Sequence, residues 1–400
     1  MKDKNATFAS NGMLLLFVVT LVGLLWSRAL LSLVHIAWLI VAVAFVVKKQ
    51  FLLSRNPLLI WSVIPLGLFL FGVYQEPLAK ANYDYLLTLS MYPIAAIATS
   101  ILFKAVDKQT CPKVWTGLAA ISLLLPLVGY FSTSGMYELY GSAKTLPVLM
   151  SADHIRYGLF IAASFLFLLS YKLFETKVHF SMLLFIFLML VLISVRTAWV
   201  AAAIIIVVSG WQKIKLSKYP KVRWLIPLLL TTFSVGAYYL VDAVKGKVDY
   251  TIYDWQSFDE KKFEANFSDG VRRSINYVGF KTVTTDDHDN VGWSAIPVAL
   301  QNGFNKYFPT QQIEYGWPFN QWLFWWIGAG WWTMILFSIW MLYPLVWAFK
   351  TKNHSLASWT LVIAASCVVE CTLSLQYGVF LHAWVTAFLW LLPLKEEYGS

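Results

Sequence analysis

Arg196 stands where a cation is expensive, between the apolar runs Leu192-Ile193-Ser194-Val195 and Thr197-Ala198-Trp199-Val200. An arginine at mid-bilayer costs about 2.5–3.5 kcal/mol on insertion scales. A guanidinium so placed either snorkels at a tight turn or faces a cavity and binds an anion. Arg272 and Arg273 follow Ser268-Asp269-Gly270-Val271, a helix start with Ser268 or Asp269 as N-cap. They would sit in its first turn, beside free amides that also favour an anion, or on a solvated helix face. Asp153, His154 and Arg156 begin another apolar run, either as neighbours of such a site or as an interfacial charge cluster. Glu370 lies inside a run near its end, and a carboxylate there is a functional candidate.

These residue types suit binding of phosphate or pyrophosphate, because a planar guanidinium meets those oxygens two at a time. The six histidines (35, 154, 179, 288, 354 and 382) include no pair at metal-ligand helical spacing, and no Gly-rich phosphate loop occurs. The aspartate-rich motif of metal-dependent prenyl-phosphate enzymes is missing too. Asp286, Asp287 and Asp289 read as a solvated turn more readily than as ligands of a divalent ion. The three cysteines are too few and too badly spaced for a disulfide framework or a zinc site. No metal and no cofactor is expected, so arginines would have to neutralise any anion.

The elements that must hold these residues are set by composition. The chain has 400 residues, 59% of them hydrophobic, 17% aromatic and 13% charged, with net charge +10 and mean hydropathy +0.63. Soluble chains carry about a quarter charged residues, so this is an integral membrane protein and the fold class is all-α. Runs near the length of about 20 residues that spans a bilayer occur at 11–26, 29–47, 57–74, 85–103, 114–132, 154–171, 179–194, 197–211, 224–241, 328–349, 356–375 and 377–392. Twelve spans are therefore expected. The first is not read as a cleavable signal, since no small-residue site follows and a second run begins almost at once.

Basic residues collect on alternate connections: Lys48, Lys49 and Arg55; Lys104, Lys108 and Lys113; Lys172 and Lys177; Lys213 to Arg223; Lys350 and Lys352. By the positive-inside rule those loops and both termini are cytoplasmic. The surplus charge thus serves topology, which removes nucleic acid as a partner. One outer connection, 242–318, is far longer than ordinary loops and nearly balanced in charge, and long loops of that kind carry function. Within it the spacing predicts a helix from about 268, with Val271, Ile275, Val278 and Thr282 as its stripe. A second amphipathic segment is expected over 294–308, before re-entry at Trp317-Pro318-Phe319-Asn320-Gln321-Trp322. The organisation read is 1–241, nine spans; 242–318, an outer loop domain; and 319–400, the re-entry segment and three spans. The tryptophan cluster Trp317, Trp322, Trp325, Trp326, Trp331 and Trp332 reads mainly as an interfacial belt, with sugar stacking as the minority reading.

The order of several short motifs resembles the bacterial O-antigen ligase and polymerase superfamily. They are Val195-Arg196-Thr197-Ala198, Ser268-Asp269-Gly270-Val271-Arg272, Asn290-Val291-Gly292-Trp293, Pro318-Phe319-Asn320-Gln321-Trp322-Leu323 and Gly328-Ala329-Gly330. His154-Ile155-Arg156-Tyr157 and the stretch from Glu370 to Val379 are similar to ligase-like members. The resemblance covers the chain from about residue 154 onward. It implies a GT-C-like membrane glycosyltransferase on the outer face of the bacterial inner membrane, metal-independent and inverting. A glycan would leave undecaprenyl pyrophosphate and join a hydroxyl of a lipid A core sugar. Arg196 and Arg272 would hold the pyrophosphate, with Arg273, Arg156, His154, Asn320, Gln321, Glu370 and Gln376 as further substrate contacts. A polymerase acting on lipid-linked repeats is the alternative, and a transporter of lipid-linked sugars a second.

The chain departs from the family pattern at one place. Family members carry a histidine, taken as the general base, before the asparagine of the re-entry motif, and here that residue is Phe319. Phenylalanine accepts no proton, and general-base help is typically worth about 10²–10⁴ in rate. Either the replacement inactivates the chain, as a change made to trap a donor would, or Asp153, His154, Glu370 or His288 acts instead. The intact remainder of the motif favours the first.

Overall fold

A computed structural model describes residues 2–47, 57–73, 80–132, 146–210, 225–257, 268–285, 290–309 and 316–392, and among them every long element is a helix and no strand occurs. Each apolar run named above falls on a helix or a pair of helices. They are α1 (Lys2–Trp26), α2 (Arg28–Val47), α3 (Pro57–Val73), α4 (Lys80–Leu89), α5 (Met91–Ala105), α6 (Thr110–Ser122), α7 (Leu124–Ser132), α8 (His154–Ser170), α9 (Thr176–Leu192), α10 (Arg196–Ile205), α11 (Leu225–Leu240), α16 (Trp331–Thr351), α17 (His354–Val369) and α18 (Gln376–Leu391). The long connection after α11 supplies α12 (Asp242–Ser257), α13 (Ser268–Thr285) and α14 (Ile296–Tyr307), and the tryptophan-rich segment that follows forms α15 (Gln321–Ala329). By length and composition four segments can cross a membrane: Arg28–Phe45, Asn82–Ala105, Thr110–Ser132 and Trp331–Thr351.

A helix that is apolar on every face belongs in the middle of a bundle. Among the described residues two helices are buried in this way. In α8 every residue from Arg156 to Leu168 is buried, and in α18 every residue from Tyr377 to Leu389. They pack on each other, α18 also against α3, α5 and α17, and α8 also against α6, α9 and α10. The peripheral helices turn Leu33, Ile40, Phe71, Phe180 and Ile339 outward, all exposed, an apolar surface that water would penalise.

Two boundaries near the later helices differ from the sequence reading in a way that matters for packing. The run 328–349 does not begin one span: Gly328 and Ala329 end α15, and Gly330 takes φ 88°, a left-handed turn open to glycine, before α16 starts. The run 356–375 is not one helix either. α17 stops at Val369, Glu370 is extended, and a short 3-10 turn, Thr372–Ser374, precedes α18. Irregular backbone inside a membrane bundle needs internal partners. Gln321 Oε1 accepts from Leu373 N (2.8 Å), Arg156 Nη2 donates to the Cys371 carbonyl (3.0 Å) and the Tyr85 hydroxyl donates to the Leu373 carbonyl (3.2 Å). Gly378 completes the seam, since any Cβ there would overlap the Thr372 carbonyl oxygen.

In the long connection α13 and α14 lie where expected, with Val271, Ile275, Val278 and Thr282 all buried. Helix α12 was not expected. It has no apolar stripe, because the face it buries includes Asp254. His288 and Asp286, Asp287 and Asp289 lie outside the described residues, as do Lys48, Lys49, Arg55 and 213–223.

Candidate functional site

The first residues of α8, α10, α13 and α15 meet the last turn of α17 beneath α12. This end of the bundle gathers the arginines into ion pairs. Both terminal nitrogens of Arg196 donate to the Asp269 carboxylate, Nη2 to Oδ1 at 2.7 Å, and Nη1 also donates to Thr251 Oγ1 at 2.8 Å. Arg272 Nη2 stands 3.5 Å from Glu370 Oε2, and its guanidinium lies over the Phe319 ring, 5.0 Å from the centroid. Arg156 is buried; it pairs with Asp153 at 3.5 Å and reaches Glu370 Oε1 at 3.9 Å. Glu370 therefore sits between two arginines, at the mouth of α17 and not within the helix.

The start of α13 corrects one expectation. The backbone amides of Asp269 and Gly270 are not free: both donate to Asp254 Oδ2, at 3.0 and 3.1 Å. A carboxylate of α12 thus caps α13 from another helix, and the Asp269 side chain is turned to Arg196 instead. Arg273 is committed to the same place. Its Nη2 donates to the carbonyl (2.7 Å) and Oδ1 (3.0 Å) of the buried Asp254, and its guanidinium covers exposed Trp255. Arg273 is thereby part of the clasp between α12 and α13.

Two cavities share Arg196, Thr197 and Arg272 as a common wall. The first, about 370 Å³, has Val200, Val362, Ala365, Val368 and Val369 on one side and Thr251, Trp255, Asp269, Arg273, Asn276 and Phe319 on the other. Val200, Val368 and Val369 are also exposed on the bundle surface, so this cavity opens beside the apolar exterior. The second, about 320 Å³, is polar: Asp153, His154, Lys247 and Ser194 line it with Ala152. Its backbone is strained. Ser194 has φ 56°, and Met150, Ser151 and Ala152 have φ 62°, 58° and 60°, a conformation that non-glycine residues hold only when surrounding structure enforces it and that clusters at functional sites.

Other expected site residues serve the frame. Asp153 caps α8, accepting from Arg156 N at 3.1 Å. The His154 ring bonds the Leu146 carbonyl at 3.1 Å while one face lines the polar cavity. Asn320 caps α15 through Leu323 N and donates to the Val368 carbonyl, both at 3.0 Å. Gln321 is fully buried on Leu373 and Ser374. Gln376 donates to Ser32 Oγ at 3.0 Å and lines neither cavity, so it is not brought to the site. Among the tryptophans, Trp325 is core and Trp332 is exposed, and neither lines a cavity.

Sequence reading missed Lys247, Thr251, Asp254 and Trp255, which face the site from α12, and Asn276, whose Oδ1 accepts from Phe319 N at 2.7 Å. The signal was present as spacing: 247, 251, 254 and 255 form one helical face. It was polar, and a search for apolar stripes passes over it. Lys247 has its pKa lowered from the ordinary lysine value, first by burial and then by Arg196 and Arg272, while Asp269 opposes the shift.

No protein-family model matches the chain, and no curated protein matches it. Among the described residues no three His, Cys, Asp or Glu side chains gather in a way that could hold a metal ion. What the site offers is two guanidinium groups between an apolar-sided cavity and a polar one that also holds an ammonium group, cations suited to an anion.

Proposed function

We propose that this protein transfers a glycan from undecaprenyl pyrophosphate to a hydroxyl of a lipid A core sugar, as an O-antigen ligase at the outer face of the bacterial inner membrane. The observation that carries the reading is the shared wall: Arg196 and Arg272 stand between a cavity with an apolar, outward-opening side and a polar cavity. A glycan linked to polyisoprenyl pyrophosphate has that same division, grease on one side of the phosphates and sugar on the other. The isoprenoid would lie along Val200, Val368 and Val369, the pyrophosphate at the two arginines, and the sugars in the polar cavity. Fixed guanidinium groups aimed at the leaving phosphate would stabilise the charge it gains as the glycosidic bond breaks.

The acceptor hydroxyl must lose a proton as it attacks. In the proposed pose the residue beside Arg272 is Phe319, which cannot take it, and Glu370 is held by Arg156 and Arg272. The chain would therefore bind the donor and turn it over slowly. The test is binding of an undecaprenyl-pyrophosphate oligosaccharide by the full chain in nanodiscs. Tight binding lost in both Arg196→Ala and Arg272→Ala is expected; binding unchanged in both variants would sink the reading. The acceptor is assigned by deletion: polymer left on undecaprenyl pyrophosphate with none on lipid A fits a ligase, whereas single repeats still ligated to lipid A would indicate a polymerase. Movement of labelled lipid-linked oligosaccharide between liposome leaflets without a new glycosidic bond would indicate a transporter.

A further inference from the structure

Around the two cavities four cations are answered by four carboxylates: Arg196 by Asp269, Arg272 by Glu370, Arg156 by Asp153 and Arg273 by Asp254. Lys247 lines the polar cavity and forms no ion pair with a described residue. Its place is fixed by α12. Thr251, one turn on, donates from Oγ1 to the Lys247 carbonyl at 2.7 Å and accepts from Arg196 Nη1 at 2.8 Å, so both residues share the face that touches Arg196.

A half-buried ammonium group beside two guanidinium groups is disfavoured. An anion spanning the shared wall and the polar cavity would relieve it. A monophosphate can be held at Arg196 and Arg272 alone. A diphosphate carries charge on each phosphorus, and its second phosphate needs a cation of its own on the far side of that wall. Lys247 is the cation there, in a cavity whose lining includes the left-handed backbone of Ser194 and Ala152.

We propose that Lys247 is the third cation of the site, holding one phosphate of a diphosphate in the polar cavity while Arg196 and Arg272 hold the other, so that the site selects diphosphate over monophosphate. This deepens the function proposed above and rests on it for the anion's identity.

The test is calorimetric titration of the full chain in nanodiscs with two probes, inorganic pyrophosphate and orthophosphate. Lys247→Met should weaken pyrophosphate binding about tenfold or more, with orthophosphate changed less than about twofold, and Lys247→Arg should keep the parent's preference. Equal weakening of both probes, or no weakening of either, would overturn the proposal. Should the methionine variant fold poorly, amine-reactive labelling of the unmodified chain decides: pyrophosphate should shield Lys247 and orthophosphate should not, and equal reactivity with both overturns it. Failure here is distinct from failure of the enzyme reading. Pyrophosphate selectivity through Lys247 without glycan transfer by a Phe319→His variant would leave the site and remove the enzyme. Transfer by that variant undiminished by added Lys247→Met would do the reverse.

Discussion

The guanidinium of Arg272 covers the ring of Phe319, 5.0 Å from its centroid, while its Nη2 reaches Glu370 at 3.5 Å. One cation thus touches the aromatic ring of α15's leading segment and the carboxylate at the end of α17. The stack joins two residues that line the same cavity, and in the function proposed above a sugar at the phosphates would meet Phe319 there. A double-mutant cycle with Phe319→Leu and Arg272→Met should give a coupling of about 0.5–1 kcal/mol in unfolding free energy, the range for a partly exposed cation over a ring. Additive effects would mean that the stack contributes nothing.

Asp269 occupies the donor groups of Arg196 that an anion would use. Asp269→Asn should therefore tighten pyrophosphate binding several-fold, since a neutral amide is a weaker competitor than a carboxylate. The stability loss should stay below about 1 kcal/mol, because the pair is partly solvated. Calorimetry and thermal unfolding read the two effects separately, and weaker binding in this variant would contradict the competition.

Arg156 differs because it is buried. Its side chain is 5% exposed and serves Asp153, Glu370 and the Cys371 carbonyl together. Arg156→Ala would strand those acceptors and should destabilise the protein by about 3–5 kcal/mol, seen as a large fall in thermal midpoint in detergent. A variant that unfolds like the parent would place Arg156 outside the frame.

Lys247 gives a pH dependence of definite sign. Its folded pKa lies below the ordinary lysine value, so between the two the unfolded chain binds the extra proton. Its contribution to folding is accordingly unfavourable at neutral pH and is relieved as pH rises. Arg196, Arg272, Asp153 and His154 line the same cavity, and the charge of Asp269 also reaches it. Two results follow: Lys247→Met should raise the thermal midpoint of the empty protein at pH 7, and pyrophosphate affinity should decline on the alkaline side before an ordinary lysine deprotonates. Lys247→Arg should remove that alkaline decline. A midpoint lowered by methionine would contradict the sign.

The helices were legible because each apolar run is long and the solvent for it is lipid. Arg196, Arg272 and Phe319 were legible as a group through motif order, and the structure brings all three to one cavity. Helix α12 was not, since its functional face is polar and its hidden residue is a carboxylate. The same holds for Asn320, Gln321 and Gln376: from sequence alone a buried amide that caps a helix or pins a 3-10 turn looks like one that binds a ligand. Which amide does which depends on the break at Glu370 to Leu375, and only the folded chain displays that break.

The most direct measurement is glycan transfer from undecaprenyl pyrophosphate to lipid A core by the chain carrying Phe319→His, compared with the parent and with Phe319→His combined with Arg272→Ala. A general base restored beside Arg272 should raise the rate by about 10²-fold or more, and the added alanine should abolish the gain. A rate unchanged by histidine, with donor bound equally by both chains, would contradict the account.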